Sequence, residues 1–277
     1  MFTVLFSSLG SFVEEVGSSI VKFQTNHNKI SVFSAGFINY FFAVLVFLAL
    51  IFLRKSFVFS FLSLPTFIIR AFLEIVQAQV TLYALKKADR STFVFVRNLT
   101  IPLILITDFV LGYVVTSFQL AGVGLVIAII IAVFVFRVAS FKGAGYVFFT
   151  AVNAVATISL FKYNVNHFNS VEGEQIILYL ILLCYFFFAA RFFAKENPFL
   201  FLKQKIFLGQ GFSNAIASML QTFAISFGNP AIAVTAERAA AVLAGIFSGR
   251  SFFKESKFFF KILAGVGLVA GLILLIG

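Results

Sequence analysis

Few side chains in this sequence are equipped for chemistry, and their spacing narrows what they can do. Ser19-x-x-Lys22 and Ser159-x-x-Lys162 have the spacing of a Ser–Lys nucleophile pair. Yet the motif is duplicated and stands at the ends of apolar runs, which points to a repeat rather than an active site. His27 and His167 also lie at run ends, where a solvated loop role outweighs a metal or proton site. The single cysteine, Cys184, excludes an internal disulfide and a Cys-rich metal centre. There is no H-E-x-x-H and no convincing nucleophile–base set, so no enzyme and no cofactor is expected. What remains is a group of charges set in apolar surroundings: Glu14, Glu15, Glu74, Asp108 and Glu237 against Lys22, Arg70, Arg97, Lys162 and Arg238. Such charges are costly in lipid and ordinarily face a bundle interior or an aqueous cavity.

The elements that position them follow from composition. Of 277 residues, 61% are hydrophobic and 11% charged, with 43 Phe and no Trp, and the mean hydropathy is +1.08. Soluble domains carry roughly a quarter charged residues. Apolar runs fall near 3–22, 31–53, 66–85, 92–111, 118–136, 141–162, 174–192, 206–226, 231–249 and 258–276. Ten spans of about 20 residues each leave only short connections, too short for a soluble catalytic or binding domain. An all-α polytopic membrane protein is expected. Met1 to Phe12 has no basic start and no clear cleavage site, so it reads as part of the first span. The net charge of +11 sits in short loops, where lipid headgroups and membrane orientation explain it better than nucleic acid.

Internal repeats add the architecture. At a shift of 140 residues, Lys22-Phe23-x-x-Asn26-His27 falls on Lys162-Tyr163-x-x-Asn166-His167, and Tyr83-Ala84-Leu85 on Phe223-Ala224-Ile225. Ala121-Gly122-Val123-Gly124-Leu125-Val126 recurs identically as Ala264 to Val269. Two five-helix halves, 1–137 and 141–277, are expected. Five is odd, so the second half enters the membrane inverted. Charge points the same way: Lys86 to Arg90 is basic while Ser226 to Pro230 is uncharged, and Gly112 to Phe118 is uncharged while its repeat carries Arg250, Lys254, Lys257 and Lys261. Odd-numbered connections hold most Lys and Arg, which places them in the cytoplasm and both termini outside.

Polar residues concentrate in spans 1, 3, 4, 6, 8 and 9, while spans 2, 5, 7 and 10 read as almost purely apolar. Arg70, Glu74, Gln77 and Thr81 share one stripe of span 3; Gln210, Asn214, Ala217, Ser218 and Gln221 share one of span 8. At about 1.5 Å rise per residue, Glu14, Glu74, Asn153 and Asn214 reach mid-depth. Six polar-faced helices around a centre describe a transport cavity, with Glu14, Glu74, Gln77, Asn153, Asn214 and Ser218 as expected substrate-binding residues. Arg97 and Glu237 match at the 140 shift, but inversion puts them at opposite depths, as two gate elements. Arg70 and Glu74 also have the i, i+4 spacing of a structural pair. The Phe runs read as lipid-facing filler. Gly245-x-x-x-Gly249 and Gly267-x-x-x-Gly271 read as close helix packing.

Tyr83-Ala84-Leu85-x-x-Ala88-Asp89-Arg90-Ser91 running to Ile101-Pro102 and Leu111-Gly112, with a second copy from Ala224-Ile225-x-x-Gly228-Asn229-Pro230-Ala231 through Gly249, resembles the drug/metabolite transporter superfamily in its ten-helix, EamA-like form. Gly112-Tyr113 and Gly249-Arg250 stand where that family commonly closes spans 4 and 9 with Gly-Glu-Arg. The resemblance implies small-solute transport through a cavity between inverted halves. A bacterial or archaeal inner membrane is the expected setting, with a monomer or homodimer. The balance of five acidic and five basic embedded residues suits an amphoteric, amino-acid-like metabolite. A midplane carboxylate can carry a coupling proton. A flippase for a lipid or lipid-linked sugar is the alternative.

Overall fold

The computed structural model describes residues 2–110, 116–227 and 230–276, without the side chains of 108–110, 230, 231 and 276. Asp108, Gly112, Tyr113, Gly228 and Asn229 therefore lie outside the described side chains or residues. Among the described residues there is no strand. Eleven α-helices run in chain order: α1 (Phe2–Asn26), α2 (Val32–Arg54), α3 (Leu64–Lys87), α4 (Arg90–Arg97), α5 (Thr100–Val110), α6 (Ser117–Val135), α7 (Ala144–His167), α8 (Val171–Phe192), α9 (Lys205–Phe227), α10 (Pro230–Phe253) and α11 (Phe258–Ile276). Their backbones satisfy themselves internally, as an apolar surrounding demands. Nine segments among the described residues are long and apolar enough to cross a bilayer, α4 and α5 counting together. α9 has the length, at 23 residues, but its polar stripe lowers its hydropathy.

Helix starts are set by local chemistry. Ser31 caps α2 by accepting from Ser34 N–H at 3.1 Å, and Ser170 caps α8 by accepting from Gly173 N–H at 3.0 Å. These caps satisfy donors that helix ends leave open. The fourth span is broken, not continuous. Pro102 has no N–H for the Asn98 carbonyl, which accepts from Ile101 instead, and the Thr100 hydroxyl bonds the Arg97 carbonyl at 2.8 Å. The break ends α4 at Arg97.

α1 lies on α9 and α10, and α7 lies on α3, α4 and α5; α2 meets α8, and α6 meets α11. Small residues permit the closest crossings. A Cβ at Gly122 would meet the Gly271 carbonyl at 2.8 Å, and one at Gly245 would meet Val94 at 2.4 Å. The phenylalanines divide between two roles. Phe72, Phe188, Phe247 and Phe260 are exposed on the outer surface, but Phe37, Phe47, Phe95, Phe186 and Phe207 are fully buried. Gly36 makes room for the Phe186 ring and Gly211 for Phe42. Filler alone does not describe them.

Connecting segments bond to one another in two sets. In the first, Glu196 accepts from Ser31 N–H and from the Ser31 and Ser34 hydroxyls, Glu255 accepts from Arg90 and Ser91 N–H, and Lys257 donates to the Arg137 carbonyl. In the second, Val58 bonds Ser170, Ser60 bonds Asn169 and Arg54 pairs with Glu172. α2, α3, α7 and α8 each run from one set to the other.

Candidate functional site

The stripe of α3 and that of α9 face each other across a central cavity of about 260 Å³. Spacings of three and four residues keep Glu74, Gln77, Ala78 and Thr81 on one helical face. The same holds for Asn214, Ala217, Ser218 and Gln221. All eight line the cavity, and each residue of the first group precedes its match in the second by 140. Glu14 and Ala154, Leu85 and Ile225, and Arg97 and Glu237 also line it at that separation. The wall is therefore built from matched positions carrying unmatched side chains.

Charge is unevenly placed on that wall. Arg97 lies 3.8 Å from Glu14, which also accepts from Gln221 at 2.7 Å. Arg238 pairs with its neighbour Glu237 at 2.6 Å. Glu74 has the Thr157 hydroxyl as a hydrogen-bond partner and no ion pair among the described residues. Asn214 is held by Asn39 at 3.1 Å and by the Gln210 carbonyl at 2.9 Å, and it packs directly on Gly17. Ser218 bonds the Tyr179 hydroxyl.

Several expectations change here. Asn153 does not line the cavity; it stands behind it, donating to the Leu73 carbonyl and to Gln77, each at 3.0 Å. Arg70 does not pair with Glu74. It turns to α8, donating to fully buried Glu174 at 2.8 Å and to Gln175 at 3.2 Å, and among the described residues no other cation pairs with Glu174. Glu15 leaves the cavity too, bound by Arg90 in a two-pronged ion pair with Ser19 and Ser248 adding hydroxyls. Arg90 is thus an internal residue rather than part of a solvated basic loop. Arg97 and Glu237, expected at opposite depths, share one charged group with Glu14 and Arg238.

Spans 2 and 7 are not merely outer walls. α2 contributes Asn39 and Tyr40 to the cavity, and α8 contributes Tyr179. The two tyrosine rings stand 5.7 Å apart at 44°. At the 140 shift Tyr179 falls on Asn39 and not on Tyr40, and two aromatic rings in apolar runs do not lower hydropathy enough to be noticed. α6 and α11 do stay outside the cavity.

Two lysines close the ends. Lys22 donates to the Leu85 carbonyl at 3.3 Å and to that of Ala88, and Lys162 donates to Ile225 at 3.1 Å and Ser226 at 2.9 Å. Each cation sits on the exposed carbonyls of a helix C-terminus, where the helix dipole favours it. At the end of Lys22, Glu255 ties the α10–α11 connection to α4. Burial pushes its carboxyl up, but hydrogen bonds from Ser91, Lys261 and the Arg90 N–H outweigh this and hold it below the usual carboxylate range.

These features define a multi-pass α-helical membrane protein with a polar internal cavity. Comparison with protein-family models gives no match, and comparison with curated proteins gives none either.

Proposed function

We propose that the chain is a secondary transporter of ten crossings in two inverted halves, moving a small polar or amphoteric metabolite by alternating access. One observation carries the reading: a buried polar cavity whose lining residues pair at a 140-residue separation, bounded by two equivalent lysine clasps. Inverted halves exchanging conformations around a midplane site are how many secondary transporters work. α9 follows the Glu196 connection in the chain, and near its far end the Arg54 guanidinium lies 5.1 Å from the Phe223 ring, which supports its counting as the tenth crossing. The resemblance to drug/metabolite transporters accords with this arrangement. So does an inner membrane of a bacterium or archaeon, with the basic connections in the cytoplasm. A proton is the proposed coupling ion, taken up by a cavity carboxylate.

The test is uptake of a radiolabelled amino-acid mixture into proteoliposomes, with and without an imposed proton gradient. Counterflow and heterologous exchange should both appear. Label entering without saturation, and without exchange, would point to a pore instead.

A second reading, a lipid flippase, has one observation in its favour. An apolar groove of about 590 Å³ beside α1 and α10, lined by Phe12, Val16, Phe23 and Phe247, also reaches Glu15. A small void joins Glu15 to Glu14 and Arg97 of the central cavity. The Glu15–Arg90 pair stands between them. Dithionite bleaching of fluorescent phospholipid in proteoliposomes separates the readings: full bleaching supports the flippase, and bleaching of the outer leaflet alone supports the metabolite transporter.

A further inference from the structure

The charges of the cavity wall leave one carboxylate over. Glu14, Glu74 and Glu237 face Arg97 and Arg238. Arg97 is taken by Glu14 and Arg238 by Glu237, while Arg70, one turn before Glu74, is taken by Glu174. Glu74 has the neutral Thr157 hydroxyl, and Arg70 and Arg97 reach it only at longer range, without an ion pair. An ionised carboxylate in such surroundings calls for a cation in contact, and among the described residues no ion pair supplies one.

What stands beside Glu74 suits one kind of cation. Tyr40 and Tyr179 are its electrostatic neighbours on the wall. Both rings are braced from behind, Tyr40 by Phe186 at 5.5 Å and 14°, Tyr179 by Phe47 at 5.3 Å and 78°. Rings so held lose little freedom when a ligand arrives. Aromatic faces beside a carboxylate attract ammonium groups through the ring quadrupole as well as through charge. A metal ion would want several more oxygen ligands, and the wall around Glu74 offers aromatic surface instead.

We propose that Glu74, Tyr40 and Tyr179 form a subsite for the protonated amine of the transported solute. The proposal rests on the transport reading and narrows its substrate class to amine-bearing solutes. The Arg97–Glu14 and Arg238–Glu237 pairs line the rest of the cavity, where the remainder of the solute would lie.

Binding to the purified protein in nanodiscs tests this, by calorimetry and thermal shift, with n-butylammonium, tetramethylammonium and butyrate as probes. Butylammonium should bind and butyrate should not. Glu74→Gln should weaken butylammonium at least tenfold, and Tyr179→Leu comparably, while Tyr179→Phe keeps the ring and stays within threefold of wild type. Should Glu74→Gln fold poorly, Glu74→Asp and Tyr179→Leu carry the test, the first retaining affinity and the second losing it. Butyrate binding in preference to butylammonium would overturn the subsite. So would butylammonium affinity that survives Glu74→Gln, or a site that responds to pH and to neither ammonium probe, in which case Glu74 binds a proton only. Glu74-dependent binding without uptake in proteoliposomes would instead sink the transport reading and leave the subsite standing. Uptake that survives Glu74→Gln would do the reverse.

Discussion

Residues matched at the 140-residue shift behave alike at the ends of the cavity and differently at its centre. Their end clasps are equivalent: Lys22 on Leu85 and Lys162 on Ile225 are the same bond moved by 140 residues. Toward the centre the equivalence ends. Glu74 faces Thr157 where Asn214 faces Gly17, and Arg97 stands where the other half has Glu237. Likewise Arg70 braces α8 through an ion pair, and Gln210 at the matching position braces α2 through amides, donating to Asn39 at 2.8 Å and Ala35 at 3.1 Å. The difference teaches a division of labour. On the proposed transport reading, matched ends would let two halves exchange roles, and unmatched centres would give the cavity a chemical direction that symmetry would cancel.

The largest expected effect breaks the comparison at the braces. Arg70→Ala strands the Glu174 carboxylate, a loss of about 3–5 kcal/mol for a buried pair, whereas Gln210→Ala removes neutral hydrogen bonds and costs about 1–3 kcal/mol. Unfolding followed in detergent micelles measures both. The double change Arg70→Gln with Glu174→Gln converts the first brace to the second kind and should recover much of the loss. Equal costs for the two alanine variants would erase the distinction.

At the cavity, Glu74→Gln should lower proteoliposome uptake at least about tenfold, equivalent to roughly 1.4 kcal/mol, with little change in melting temperature. Asn214→Gln, on the matching face, should lose more stability than activity, because Gly17 leaves no room for a longer side chain. The reverse ranking would move the functional centre to the second half.

The clasps sharpen the comparison through their equivalence. Lys22→Met should raise cavity access from the end near Leu85, and Lys162→Met from the end near Ile225. A cysteine placed at Ser218, in a Cys184→Ser background, reports this with a membrane-impermeant thiol reagent applied from each side in turn. A shift of a few-fold in labelling rate is expected, opposite in sense for the two variants. Shifts in the same sense would make the lysines structural only.

The smallest effect concerns pH. The Glu255 carboxyl binds its proton at lower pH in the folded chain than in the unfolded one. Its contribution to stability is therefore whole above the unfolded value and is lost as pH falls through the folded one. Melting temperature should decline on acidification through that window, and Glu255→Gln should be less stable at neutral pH but flatter against pH. A parallel decline in the variant would assign the effect to other groups.

Much of this was legible before any fold was known. Hydropathy located nine span-like segments because burying a backbone in lipid needs a continuous apolar run, and the 140-residue match is visible in Lys22 and Lys162 with their flanking residues. Glu14, Glu74, Gln77, Asn214, Ser218, Arg97 and Glu237 were all picked out by being polar in apolar company, and all seven line the cavity. Asn153 was picked out by the same rule and turned out to support Gln77, since that rule cannot tell a lining residue from the one behind it.

The sequence by itself determined which segments are apolar helices and which side chains cannot face lipid. Only the tertiary structure decided the partners. Arg70 could have taken Glu74 one turn away, and a local pair needs no long-range arrangement. It took Glu174 because α3 and α8 bring a fully buried carboxylate within reach. That choice leaves Glu74 to the cavity. Periodicity along one helix says which residues share a face, but which opposite charge meets that face depends on the packing of helices distant in sequence.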